Sequence, residues 1–161
     1  MTDRENILRA IELFKEAYQY LMDGDLETAV DYYERSIDLY PTAEAHTFLG
    51  WTYSFQGKID QAIAQCERAI QVDPDFGNPY NDIGAYLIEM GKHDEAIAWL
   101  ERAIVAPRYE SYHFPHMNLG RIYLHKMLYG KARAQFERAL ELAPDYAPAR
   151  QALAEVRKKL N

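Results

Sequence analysis

Apolar residues recur three and four apart along almost the whole chain, a spacing that gathers them on one side of a helix. Leu49 and Tyr53, Ile83 and Leu87, and Leu119 and Tyr123 stand at i and i+4 and predict core-facing helical stripes. Breakers separate the stripes at Asp23-Gly24-Asp25, Gln56-Gly57-Lys58 and Met90-Gly91-Lys92. Glycine there takes the left-handed conformation that ends a helix. Pro41, Pro74, Pro107 and Pro144 mark a second set of stops, because proline disfavours helical geometry in the residue before it. The chain thus alternates helix, glycine turn, helix and proline stop. Ile7, Leu8, Ile11 and Phe14 carry the stripe toward the N-terminus, and Thr2 with Glu5 fits a capping box. Residues 1–9 are therefore expected to extend the first helix.

Self-similarity sharpens this pattern, since the same residue types return at intervals of 33 to 36 residues. Four segments align, 10–42, 43–76, 77–112 and 113–146, with a shorter helix over 147–161 closing the array as part of one domain spanning 1–161. Numbered within each segment, position 8 is Ala17, Gly50, Gly84 and Gly120, and position 20 is Ala29, Ala62, Ala96 and Ala132. Position 27 is Ser36, Ala69, Ala103 and Ala139. Small residues repeated at three fixed places predict helices that cross closely there. Two irregularities stand out. The fourth segment has Met127 where the others have a turn glycine, with Gly130 three residues later, and an irregular turn is expected. The third is two residues longer than the second and fourth, through a stretch from Val105 to Pro115 that holds Tyr109, Tyr112 and Phe114 and is placed to lean over the inner groove of the array.

Leu49-Gly50-x2-Tyr53, Ala62, Ala69 and Pro74 resemble the signature of the tetratricopeptide-repeat family, and Leu119-Gly120-x2-Tyr123, Ala132-x3-Phe136, Ala139 and Pro144 repeat it. The resemblance covers residues 10–146. It implies an all-α fold, an α-solenoid of antiparallel helix pairs with about nine helices, wound as a right-handed superhelix and closed by a capping helix. Leu13, His46, Tyr80 and His116 replace the family's large aromatic at position 4, which is expected to loosen packing there.

Such arrays leave a concave surface lined by the first helix of each repeat, and the family's groove-facing positions carry over residue by residue. Repeat one presents Ile11, Phe14, Tyr18, Leu21 and Met22, and repeat two Glu44, Thr47, Trp51, Ser54 and Phe55. Repeat three presents Asn78, Asn81, Ala85, Ile88 and Glu89, and repeat four Phe114, Met117, Arg121, Leu124 and His125. The Lys, Asn and Arg clamp with which the best-understood grooves grip a chaperone tail's carboxylate is missing. Phe14, Tyr18, Phe48, Asn78 and Asp82 stand in its places. An aromatic groove suits a peptide with apolar anchors on Phe14, Tyr18, Trp51, Phe55 and Phe114, with Asn78, Asn81 and Arg121 as polar contacts. Two other readings stay open: these rings pack against their own neighbours, or the groove is a self-association contact.

Composition narrows the partner to protein. Twenty-five acidic against eighteen basic side chains give a formal charge of -7, the wrong sign for nucleic acid. No apolar run reaches the ~20 residues of a membrane span, and a cytoplasmic protein without membrane contact is expected. The single cysteine, Cys66, excludes an internal disulfide and a cysteine zinc site, and reads as a small core residue. His113, His116 and His125 lack an acid or cysteine in register to complete a metal site. No nucleophilic triad, P-loop or dinucleotide fingerprint occurs. No enzyme activity, metal or cofactor is expected.

Overall fold

The computed structural model describes residues 1–161, in nine α-helices. They are α1 (Asp3–Met22), α2 (Leu26–Leu39), α3 (Ala43–Phe55), α4 (Ile59–Val72), α5 (Asn78–Glu89), α6 (His93–Val105), α7 (His113–His125), α8 (Tyr129–Leu142) and α9 (Ala147–Leu160). Local chemistry sets the first boundaries. The Thr2 hydroxyl accepts from the Glu5 N–H at 3.1 Å while the Glu5 carboxylate accepts from the Thr2 N–H at 2.7 Å, so the capping box closes and α1 begins at Asp3. Asp25 and Thr42 cap α2 and α3 through the N–H groups of Thr28 and Ala45. Each even-numbered helix from α2 to α8 ends two residues before one of the four prolines.

Each helix packs on its sequence neighbours, and α1, α3, α5 and α7 also pack on one another in order; the even-numbered helices make no comparable contact. The odd helices therefore form the tighter, inner layer of a curved α-solenoid, as the family resemblance implies. α9 lies on α8 as α3 lies on α2, and buries Leu153 and Val156 against Ala132 and Phe136.

The small residues stand at the crossings. Position 24 of each repeat, Tyr33, Cys66, Leu100 and Phe136, is fully buried. A methyl group added at Gly84 would lie 2.5 Å from Leu100 Cδ2, and one at Gly120 would enter the Phe136 ring. The core is thus a row of large side chains lying on backbone left bare to receive them.

Two expectations need correction. Position 4 is not loosely packed in repeats two and four: His46 Nδ1 meets Gln65 Oε1 at 2.8 Å, and His116 Nδ1 meets Gln135 Oε1 at 2.8 Å. In repeat three, Tyr80 donates its hydroxyl to the Pro74 carbonyl at 2.7 Å. A hydrogen bond does at these places what aromatic bulk does in the family pattern. The fourth turn is also regular. Met127 itself takes φ 61°, beside 82°, 76° and 77° at Gly24, Gly57 and Gly91. Its flanking bonds, Met127 N–H to Leu124 O and Leu128 N–H to Tyr123 O, match those around Gly57 and Gly91. The two helix ends impose the left-handed residue whatever its side chain. Because the Met127 side chain is exposed, Met127→Gly should relieve strain without losing packing. It is expected to raise stability by about 1 kcal/mol, read as a higher urea midpoint; a lower midpoint would contradict the strain.

Candidate functional site

The inner surface of α1 and α3 carries a continuous aromatic row. Phe48 is its hub, with ring centroids 5.3 Å from Phe14, 5.9 Å from Tyr18 and 5.8 Å from Trp51, each edge to face. Trp51 continues to Phe55 at 5.0 Å. Phe14 is partly buried and joins the core through Tyr33, 5.5 Å away. Tyr18, Trp51 and Phe55 keep 40%, 37% and 54% of their surface in solvent. The row is both braced and open: its inner edge packs on the protein and its outer edge remains available.

Beside Trp51 the groove deepens into a pocket of about 420 Å³, whose aromatic lining is Phe48, Trp51, Tyr109 and Phe114. Asn78, Asn81, Asp82 and Ser111 supply its polar lining. Of the carried-over residues, Trp51, Asn78, Asn81 and Phe114 meet here, while Phe14, Tyr18 and Phe55 continue along the row. Leu21 and Thr47, placed in the groove by the family positions, are buried; Thr47 spends its hydroxyl on the Ala43 carbonyl at 2.7 Å, although its side chain still reaches the pocket wall. Glu44 is paired with Arg108.

Asn81 is 7% exposed and its Oδ1 accepts from Asn118 Nδ2 at 3.0 Å. Arg121 in turn donates to Asn118 Oδ1 at 3.1 Å. These three residues form a relay from α7 to α5 that fixes the Asn81 amide at the pocket, and Arg121 does not line the pocket itself.

The long junction of repeat three builds one wall. Arg108 folds back onto the preceding repeat: its N–H reaches the Asp75 carbonyl at 3.0 Å and its own carbonyl accepts from the Gly77 N–H at 2.9 Å. Its guanidinium pairs with Glu44 at 2.6 Å and Asp73 at 2.7 Å and lies 4.2 Å from the centre of the Phe76 ring. The Arg108 hydrogen bond holds the Asp73 carboxyl below its usual range. Tyr109 then drops onto Gly77, where a methyl group would sit 2.5 Å from its ring. Gly77 is bare because a ring covers it. The Tyr112 hydroxyl donates to the Ala106 carbonyl, closing the loop on itself.

Phe48, Asp82, Tyr109 and Ser111 were absent from the carried-over positions. Phe48, Asp82 and Asn118 all occupy position 6 of their repeats, so a sixth position belongs to the floor of this groove. That position was visible in the clamp comparison, which it shares. Burial pushes the Asp82 carboxyl up to about 7, with the Asn81 side chain holding it back in part. Burial likewise raises the Tyr109 and Cys66 pKa values, and Cys66 is a buried core thiol. His113, His116 and His125 do not converge: His113 lies against Phe114 and Tyr146, His116 bonds Gln135, and His125 stacks on His93 at 4.2 Å.

Models of the tetratricopeptide repeat match residues 13–43, 43–76, 80–105 and 115–146. Small glutamine-rich tetratricopeptide repeat-containing protein 2 of Mycosarcoma maydis is 26% identical over 101 residues, 62% of this chain and 29% of that protein. The chain spans less than a third of that relative's length. Among solved structures, pilF of Pseudomonas aeruginosa superposes with a TM-score of 0.89 at 21% identity, covering 96% of this chain and 70% of its own. The first repeat domain of Spaghetti (RPAP3), bound to the HSP90 peptide SRMEEVD, gives 0.67 at 23% identity over 74% of this chain and 93% of its own. At those identities the structural likeness is one of fold. With four repeats matched in register and small residues at every crossing, the chain belongs to the tetratricopeptide-repeat family.

Proposed function

We propose that the chain is a non-enzymatic protein-interaction module that holds a peptide segment with apolar anchors in its concave groove, in an adaptor or assembly role. The observation that carries this reading is the braced aromatic row opening into the pocket beside Trp51. Rings held edge to face by their neighbours lose little conformational freedom on binding, while their exposed edges offer apolar area to bury. A repeat domain of the same fold is seen with a peptide bound, which supports the class of partner. The side chains here differ from a carboxylate clamp, with Phe14, Tyr18 and Phe48 at three of its places, so an apolar contact replaces a charged one.

A suitable probe is an immobilised positional library of heptapeptides, capped at both ends so that no terminal charge contributes. Wild-type protein should retain a subset rich in apolar residues. Replacing Tyr18 and Trp51 together by alanine is expected to cut retention at least tenfold, since each removes a hot-spot ring, with helicity unchanged by circular dichroism. Equal retention by the double variant would overturn the reading. A mass that rises with concentration in light scattering would favour the self-association alternative.

A further inference from the structure

The pocket contains a carboxylate that no cation of the chain pairs, its one side-chain partner being the neutral Asn81 amide. Asp82 takes part in none of the ion pairs of the molecule. The guanidinium groups carried by the flanking elements are committed elsewhere, Arg108 to Glu44 and Asp73, and Arg121 to the Asn118 amide. Four aromatic side chains, Phe48, Trp51, Tyr109 and Phe114, line the same pocket.

The carboxylate attracts a cation and repels an anion, while the ring surfaces that line the same pocket offer apolar area to an alkyl stem. An apolar anchor here would bury Asp82 without a partner, and an acidic one would add like-charge repulsion. A lysine or arginine satisfies both parts of the lining, its alkyl stem against the rings and its charged head on Asp82. The volume, about 420 Å³, lies within the ~300–1,000 Å³ of ligand-sized clefts. A chain of net charge -7 also draws a basic segment toward it.

We propose that this pocket receives a lysine or arginine side chain of the bound peptide, seated between Trp51, Tyr109 and Phe114 and paired with Asp82. This rests on the peptide-binding reading above and names the anchor at its centre. The raised Asp82 pKa is consistent with it, since an incoming cation returns the group to its charged form and releases a proton near neutral pH.

The capped heptapeptide library separates the two levels. Wild-type protein should retain peptides enriched at least tenfold in lysine or arginine at one position, flanked by apolar residues, and Asp82→Asn should erase that basic preference. Retention of apolar peptides with no basic preference, or a preference that survives Asp82→Asn, would overturn the cation pocket and leave the broader reading standing. No retention of any peptide would overturn both. Amide NMR places the site without relying on a variant: titrating wild-type protein with a capped heptapeptide carrying one central arginine among leucine and alanine should shift the Trp51, Asp82 and Tyr109 signals first. First shifts elsewhere on the solenoid would also sink the assignment.

Discussion

Truncating Phe136 to alanine is expected to cost about 3–5 kcal/mol of stability, a large share of the ~5–15 kcal/mol that holds a domain together. The ring is fully buried and lies on Gly120, which has no side chain with which to fill the space left behind. It also belongs to the small cluster with Ala132, Leu153 and Val156 through which α9 docks. Repeat arrays are held by neighbour contacts alone, so the damage should be local before it is global. Urea unfolding followed at 222 nm measures the loss. Hydrogen exchange should show α7, α8 and α9 losing protection while α3 to α6 retain theirs. A loss below about 1 kcal/mol, or uniform loss of protection, would mean that the terminal repeat is not pinned at this ring.

The same residues explain why the architecture was legible in the sequence. Gly84 and Gly120 are small because a facing side chain occupies their Cβ positions, and that constraint leaves a mark at fixed spacing in every repeat. The fourth turn left no such mark: the hydrogen bonds of Met127 and Leu128 to the end of α7 dictate the left-handed conformation, and an exposed methionine tolerates it. The site was legible only in part. Trp51, Asn78, Asn81 and Phe114 reach the pocket as their positions imply. Tyr109 reaches it only because Arg108 is tied to Asp73 and Glu44, 35 and 64 residues earlier. No local pattern encodes a tie of that range. Asn81 stands at a groove-facing position, yet its carbonyl oxygen is taken by Asn118 across a helix crossing, which only the packed structure reveals. Asp82 stands in the sequence only as a missing clamp residue, and takes another meaning in a pocket that four rings also line.

Asp82→Asn is expected to stabilise the free protein by about 2–4 kcal/mol at pH 8 and to change little at pH 4. Burial lifts the folded-state carboxyl from 3.8 to about 7. Between those values the folded chain holds a proton that the unfolded chain has released, so wild-type stability falls as pH rises through this window. Below about pH 4 both states are protonated and the cost vanishes. The surrounding groups do not produce the slope: Cys66 of α4, Tyr86 of α5 and Tyr109 of the α6–α7 junction all have raised pKa values and stay neutral. Glu44 of α3 is paired with Arg108, and Arg121 of α7 donates to the Asn118 amide. Asp73 and Asp94 are lowered by their partners and bend the curve the opposite way at lower pH, but they do so equally in both proteins, so the difference between wild type and variant isolates Asp82. Urea midpoints at half-unit intervals from pH 4 to 8 give that difference, and a flat one would show that the carboxylate is not desolvated. A residue that costs the fold stability at neutral pH is the kind retained for binding, and the link can be tested. Saturating the wild type with the arginine heptapeptide should flatten its pH dependence, because the cation supplies the partner that the free pocket lacks.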